Sequence, residues 1–286
     1  MRGELARLDA TTMEIHSLLR LAPGMQAASV VVGTDTFAWV EMSATDLRGY
    51  DWRLHLTSAI DGADRVIASD PGLRIEAGFT DHSPTLWFDG TTLLYTILVK
   101  GSGASPAWEL RRLRAEQTDR LAQLASASAQ RFIRFDAVGD TVAWLEGDRS
   151  AGPIEQATVA SFSGSGPARR RALNSRAYVL RLAPAGVYVG TEQGVVLLAS
   201  DLTGSIAGLP GDPGVVEQLA LLGRYVLYGN TNLQTTTAVD PTSRAVARLG
   251  QNVTYGPIQG DGFALWFERD PAGGPGKYAI ARAPLR

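Results

Sequence analysis

The chain has 286 residues, 45% of them hydrophobic and 20% charged, with a formal net charge of -2. That composition supports a packed core and excludes a disordered chain, and the near-neutral balance argues against a surface built for nucleic acid. No cysteine is present, so disulfides and thiolate metal sites are ruled out, and no apolar run approaches the roughly 18 residues of a membrane span.

Taken in order, the chain reads as short strands separated by turn signals. Ala27 to Val32 is a β-branched run suited to an inner strand buried on both faces, and Thr36 to Met42 follows a Gly33-Thr34-Asp35 turn. After a polar loop, Trp52, Leu54 and Leu56 share one face of a third strand, and Asp61-Gly62 turns the chain into Arg65 to Ala68. This four-stranded meander then repeats. The second unit uses Thr85 to Phe88, Thr91 to Val99, Trp108 to Leu113 and Asp119 to Leu124; the third uses Phe132 to Phe135, Thr141 to Glu146, Glu155 to Ser161 and Ala168 to Leu173. The fourth runs from Tyr178 to Leu209 and the fifth from Glu217 to Leu249. The last offers Gly256 to Gln259, Phe263 to Phe267 and Lys277 to Ala281, with no fourth strand.

The second strands carry the repeat. Taking Trp39, Tyr95, Trp144, Val189, Tyr228 and Trp266 as equivalent, the steps are 56, 49, 45, 39 and 38 residues, the length of a propeller blade. The expected fold is all-β: a single six-bladed β-propeller over 1–286, with blades at 27–70, 76–127, 131–174, 177–210, 215–250 and 255–284 plus 13–21. Met13 to Leu19 can supply the missing fourth strand, closing the ring by pairing with the C-terminal blade and covering an exposed edge. Glu4 to Leu8 also reads as a third strand and competes with Lys277 to Ala281. Closure as three strands plus one is favoured over two plus two, and a seven-bladed parent cut at its N-terminus stays open.

Asp-Gly and Gly-Asp turns alternating with apolar-Trp-apolar-acid strands, as in Thr36 to Glu41, Asp140 to Glu146 and Ala264 to Glu268, resemble the six-bladed repeats of the TolB-like propeller group. The likeness spans about Ile15 to Ala281 and is architectural. It implies an extracytoplasmic protein, from a group of periplasmic scaffolds, sensors, gating domains of peptidases, lyases and hydrolases, and it carries over no site. Gly190-Thr191 and Gly229-Asn230 depart from the acidic strand ending. Met1 to Leu5 lacks the apolar core of a signal peptide, and the chain opens as if within a blade. The expectation is therefore a leader or anchor ahead of this segment, with a cytoplasmic protein as the alternative.

Candidate chemistry is sparse. Glu41, Glu146 and Glu268 lie two residues beyond a Trp on the same strand face, where each would meet an arginine such as Arg48, Arg149 or Arg269, or would help form a cation site at the mouth. Asp81-His82-Ser83 holds triad residue types, but adjacent side chains point apart, so His82 reads as a turn residue. Three histidines, two of them on outer strands, do not make a metal site. Arg169-Arg170-Arg171 reads as a solvated rim. Arg48, Tyr50 and Trp52 form an aromatic and arginine cluster of the kind that suits a protein or glycan partner.

The sequence thus points to a binding module without a cofactor or metal, its protein, glycan or small-molecule ligand lying over the axial funnel. Candidate contacts are Arg48, Tyr50, Asp81, His82, Arg149, Asn230 and Arg269. The competing reading is a glycan lyase or ester hydrolase using Glu41, Asp81, Glu146, Glu268 and His82 as a dispersed acid/base set.

Overall fold

The computed structural model describes residues 4–8, 14–43, 45, 51–75, 82–101, 105–124, 127, 130–148, 158–163, 167–204, 207–211, 213–260 and 262–282. The described chain is strands and turns, and no helix in it is long and apolar enough to cross a membrane. It divides into two compact units, Met1–Phe132 and Ile133–Arg286.

In the first unit β1 (Glu4–Leu8) pairs antiparallel with β2 (Ile15–Arg20) as a two-stranded sheet. Two four-stranded meanders follow: β3 (Met25–Val32), β4 (Thr36–Ser43), β5 (Arg53–Ser58) and β6 (Asp64–Ser69), then β7 (Leu86–Phe88), β8 (Thr92–Lys100), β9 (Pro106–Arg114) and β10 (Gln117–Gln123). β11 (Gln130–Val138) begins at the end of the first unit and runs into the second, which then holds β12 (Thr141–Asp148), β13 (Thr158–Ser163) and β14 (Arg169–Ala172). The second unit continues with β15 (Ala177–Ala183), β16 (Gly186–Thr191), β17 (Gly194–Leu198) and β18 (Ala207–Gly208), then β19 (Val216–Leu222), β20 (Tyr225–Asn230), β21 (Thr235–Val239) and β22 (Val246–Gln251). A three-stranded sheet of β23 (Val253–Gly260), β24 (Phe263–Glu268) and β25 (Lys277–Arg282) ends it. Both strands that compete for one third-strand slot in the sequence, Glu4–Leu8 and Lys277–Arg282, therefore form, each in its own sheet.

Alternation on the second strands holds successive sheets together. Ala38, Val40 and Met42 of β4 pack with Leu93, Tyr95 and Ile97 of β8, and Val189 packs with Ala143, Leu145 and Val159. Tyr228 meets Val179, Tyr188 and Val195, and Trp266 meets Ala220, Leu222, Leu227 and Ala238. In each case the residue marking the repeat buries itself against the sheet before it. Trp39 follows the same rule, and what covers it is the β1–β2 hairpin through Leu5, Leu18 and Leu19.

The inner strands of the second unit are joined by side chains in place of a ladder. Asp136 Oδ2 accepts the Leu182 N–H at 2.8 Å, Gln218 Oε1 the Gly256 N–H at 2.7 Å and Gln259 Oε1 the Leu221 N–H at 2.8 Å, while Arg181 Nε donates to the Leu219 carbonyl at 3.2 Å. The last three of these clips each join residues 38 apart, one blade length. Such bonds satisfy strand-edge groups that have no neighbouring strand.

Two sequence readings are corrected. β3 is not buried on both faces: its exposure alternates, with Val30 42% and Val32 70% exposed on one face of the pleat while Val31 on the other packs against the core. Trp52 is a core residue, 2% exposed and packed with Leu54 and Ile97, so it offers nothing to a ligand. The arginine run on β14 is largely exposed, as a solvated rim would be, and its residues also have partners: Arg170 reaches Glu146, Arg171 the Gly204 carbonyl, and Arg169 the Asp201 carboxylate. Hydrogen bonds from the Thr203 hydroxyl and amide hold the Asp201 carboxyl below its ordinary range, which keeps it charged opposite Arg169.

Gly190 and Gly229 explain where the acidic strand ending fails. A Cβ on Gly190 would lie 2.5 Å from the Val216 carbonyl oxygen, and one on Gly229 would lie 2.3 Å from the Gly256 carbonyl oxygen, both backbone atoms of the next inner strand. No side chain fits at either place. Gly229→Ala should destabilise the protein by about 1–3 kcal/mol through overpacking; a urea melt showing a change under about 0.5 kcal/mol would mean the two sheets are not pressed together there.

Candidate functional site

The inner strands of the second unit share a local irregularity. In β15 the register slips between Ala177 and Val179, in β19 between Val216 and Gln218, and in β23 between Val253 and Tyr255. Each slip leaves one residue out of the ladder: Tyr178, Glu217 and Thr254. A bulge of this kind re-aims a side chain that the pleat would otherwise fix, which is why bulges gather beside binding sites.

All three bulged residues line cavities. A space of about 500 Å³ is bounded by four inner strands and lined by Arg134, Tyr178, Arg181, Glu217, Tyr255 and Ile258 among others. A smaller chamber of about 200 Å³ shares Glu217, Gln218 and Tyr255 with it and adds Asn230, Gln234, Thr235 and Thr254. Two arginines, one carboxylate, amides, hydroxyls and two tyrosines make a mixed polar wall. Arg181 is steadied by its Nε bond to the Leu219 carbonyl, Glu217 Oε2 accepts the Thr231 hydroxyl at 3.2 Å, and Gln218 is fixed by its clip to Gly256. At the rim stand Tyr255, 55% exposed, and Ile258, 43% exposed.

The candidates named from sequence distribute unevenly. Arg48, Tyr50, Asp81 and Arg149 lie outside the described residues. His82 is 1% exposed, its Nε2 accepting the Ile75 N–H at 3.3 Å, which ties a loop of the first unit to itself. Asn230 lines the small chamber, with its Oδ1 capping the turn through the amides of Asn232 and Leu233 and its Nδ2 donating to the Pro213 carbonyl. Arg269 borders a separate cavity of about 360 Å³ with Gln251, Asp270 and Lys277. Tyr178, Arg181, Glu217 and Tyr255 were not singled out, because a bulge leaves no mark in a single sequence.

The strand-end acids have partners inside their own sheets. Glu146 accepts the Trp144 indole N–H at 3.0 Å and Arg170 Nε at 2.6 Å. Glu268 accepts the Trp266 indole N–H at 2.9 Å and faces Lys277 Nζ at 3.4 Å. These cations come from strands of the same sheet, Lys277 from the strand next to Glu268 and Arg170 from the strand beyond the next one; of the loop arginines expected to serve, Arg48 and Arg149 lie outside the described residues. Trp39 bonds instead to the Thr57 hydroxyl, while Glu41 lies 3.6 Å from both Arg53 and His55. His55 is stacked on Trp39 with centroids 4.4 Å apart, and its Nδ1 meets Asp64 Oδ2 at 2.8 Å. Among the described residues no three metal-ligating side chains converge.

No family model matches the chain, and no curated protein matches it in sequence. Solved structures do match. Hydrazine synthase from Kuenenia stuttgartiensis aligns over 99% of this chain and 90% of its own, with a TM-score of 0.58 at 11% identity. An acylaminoacyl peptidase from Pyrococcus horikoshii gives 0.55 at 10% identity over 94% of this chain and 47% of its own. TolB from Acinetobacter baumannii gives 0.47 at 15% identity, over 87% and 60%. At these identities the likeness is one of fold: in architecture the chain resembles the TolB-like β-propeller group.

Trp144, fully buried, and Glu146 are thus a packing element with its polar atoms satisfied. Trp144→Ala should cost about 3–5 kcal/mol, and Glu146→Leu, which strands the indole N–H and Arg170, about 1.5–3 kcal/mol. Urea melts giving under about 1 kcal/mol for Trp144→Ala would show that the ring is not a packed wedge.

Proposed function

We propose that this protein is a binding module, with its ligand lying against the inner strands of the second unit. The observation that carries the reading is the convergence of Tyr178 and Glu217, both released from the ladder by bulges, with Arg134, Arg181 and Tyr255 in one cavity. A polar wall with pre-set hydrogen-bonding groups and an apolar, aromatic rim is what a recognition site requires. Binding is favoured over catalysis by the state of the acids: Glu146 and Glu268 are engaged by Trp indoles and cations within their own sheets, and the His82 ring nitrogen by a backbone amide.

The same reading takes the whole chain as one six-bladed propeller acting outside the cytoplasm, closed by the N-terminal strand at 13–21 pairing with the C-terminal blade. Three facts support this: the blade-length clips, a terminal sheet of three strands, and a β1–β2 hairpin covering the Trp39 face where a preceding sheet would lie. Loop residues Arg48, Tyr50, Asp81 and Arg149 are proposed to border the funnel alongside Asn230 and Arg269, and the partner to be a protein, a glycan or another small molecule.

The test is a melting-shift screen of the purified chain against sugars, peptides and divalent cations, repeated on Tyr255→Ala and Arg134→Ala. A true ligand at one hundred times its Kd should stabilise the protein by about 2.7 kcal/mol, and both substitutions should remove most of that shift. A shift that survives both would place the ligand elsewhere and contradict the reading.

A further inference from the structure

In the first unit, the sheet face that the β1–β2 hairpin covers carries a chain of hydrogen bonds. Trp39 and Glu41 on β4, Arg53, His55 and Thr57 on β5 and Asp64 on β6 share that face. One end sets the direction of the chain, because an indole N–H can only donate. Trp39 Nε1 donates to the Thr57 hydroxyl oxygen at 2.9 Å, so the Thr57 proton goes on to Asp64 Oδ1 at 2.5 Å and Asp64 is an acceptor. Its other oxygen lies 2.8 Å from His55 Nδ1, which therefore carries a proton and donates it. A neutral ring in this tautomer leaves Nε2 bare.

At Nε2 the arrangement is incomplete. His55 is 7% exposed, and among the described residues its Nε2 has no hydrogen-bond partner. Glu41 Oε2 stands 3.6 Å away, and the same oxygen is 3.6 Å from Arg53 Nη1. With a neutral ring, a nitrogen lone pair is buried beside a carboxylate. A second proton, on Nε2, turns that contact into an attraction and sets two positive charges, His55 and Arg53, against two carboxylates. The Trp39 ring stacked at 4.4 Å offers its π face to the cation. The other two histidines are built differently. His16 is half exposed beside Glu14, and the buried His82 accepts the Ile75 N–H at Nε2, a role that a proton there would abolish.

We propose that His55 is a proton-operated fastening in the sheet that seats the N-terminal hairpin. Protonated, the ring links Asp64 on β6 to Glu41 on β4; neutral, it holds Asp64 alone. The groups facing it are Asp64, Glu41, Arg53 and Trp39 of its own sheet, and the hairpin meets this face through Leu5, Leu18 and Leu19. The contact of the second proton with Glu41 exists only in the folded chain. The fastening is therefore present below the ordinary imidazole range of about 6.5 and is lost as pH rises through it. The hairpin rests on Trp39 and Trp39 on His55, so the hairpin is the element whose seating responds.

Nitrogen NMR of the labelled full chain tests the proton directly, the His55 signals being those absent from His55→Gln. Both ring nitrogens should carry protons at about pH 5.5, and Nε2 alone should lose its proton by about pH 8. Methyl signals of Leu18 and Leu19 should follow the same midpoint. In urea melts over that range the folding equilibrium of the wild type should fall about three- to ten-fold relative to His55→Gln as pH rises, a comparison that cancels His16 and His82. Glu41→Gln, which keeps the shape and removes the facing charge, should erase most of that dependence. A ring holding one proton throughout, a wild-type advantage constant with pH, or a dependence that survives Glu41→Gln would overturn the proposal. Leucine methyl signals indifferent to the titration would overturn the link to the hairpin. Should His55→Gln not fold, its ring signals are those that shift in Glu41→Gln, and the same NMR outcomes decide.

Discussion

What the rest of this structure depends on is the approach of one sheet to the next. Within each unit, second strands press a side chain against the preceding sheet, as Tyr95, Val189, Tyr228 and Trp266 do. Further along the same strand, Gly190 and Gly229 let the next inner strand come within carbonyl contact. A sheet built this way cannot stand alone, because one face is always left bare. Trp39 shows the constraint at its sharpest: among the described residues it is the β1–β2 hairpin that covers it, through Leu5, Leu18 and Leu19.

The polar interior follows the same logic. Three of the buried indole N–H groups are accompanied by an acceptor, Glu146 for Trp144, Glu268 for Trp266 and Thr57 for Trp39, while that of Trp108 has none. Where inner strands diverge and cannot form a ladder, amides and carboxylates two or more bonds from the backbone bridge the gap. These devices hold the wall of the cavity at fixed positions before any ligand arrives, which lowers the ordering cost of binding. The hydroxyls of Thr235, Thr236 and Thr237, in a row on β21, are buried without a hydrogen-bond partner.

Much of the strand layout was legible because alternation and turn residues write it locally. Thr141 to Glu146, Tyr225 to Gly229 and Phe263 to Phe267 were read within a residue or two of the strands observed, and the Trp-x-acid pairs were visible as same-face neighbours. The partners of those acids were not, since a cation on another strand of the sheet is close in space and distant in sequence. One inner strand misled for a related reason: the run Val30-Val31-Val32 looks doubly buried, but only Val31 faces the packed side, and nothing local marks the face of Val30 and Val32 as open. The bulges at Tyr178 and Glu217 were beyond sequence reading altogether, because they arise from how two strands of slightly different path length are matched. Site residues placed by those bulges were therefore missed, while Asn230, set by its own turn, was found.

The proposed six-bladed ring requires the two incomplete sheets, one at each end of the chain, to be parts of a single blade. The protein has no cysteine, so pairs introduced along β2 and β25 report on this without interference. Ser17→Cys combined with Ala279→Cys, with neighbouring registers as companions, should give at least one pair that closes an intramolecular disulfide under mild oxidation. That bond should raise stability by up to roughly 4–5 kcal/mol, as expected for so long a loop. Failure of every register to cross-link within one molecule, or cross-linking only between molecules, would contradict a closed ring of six sheets.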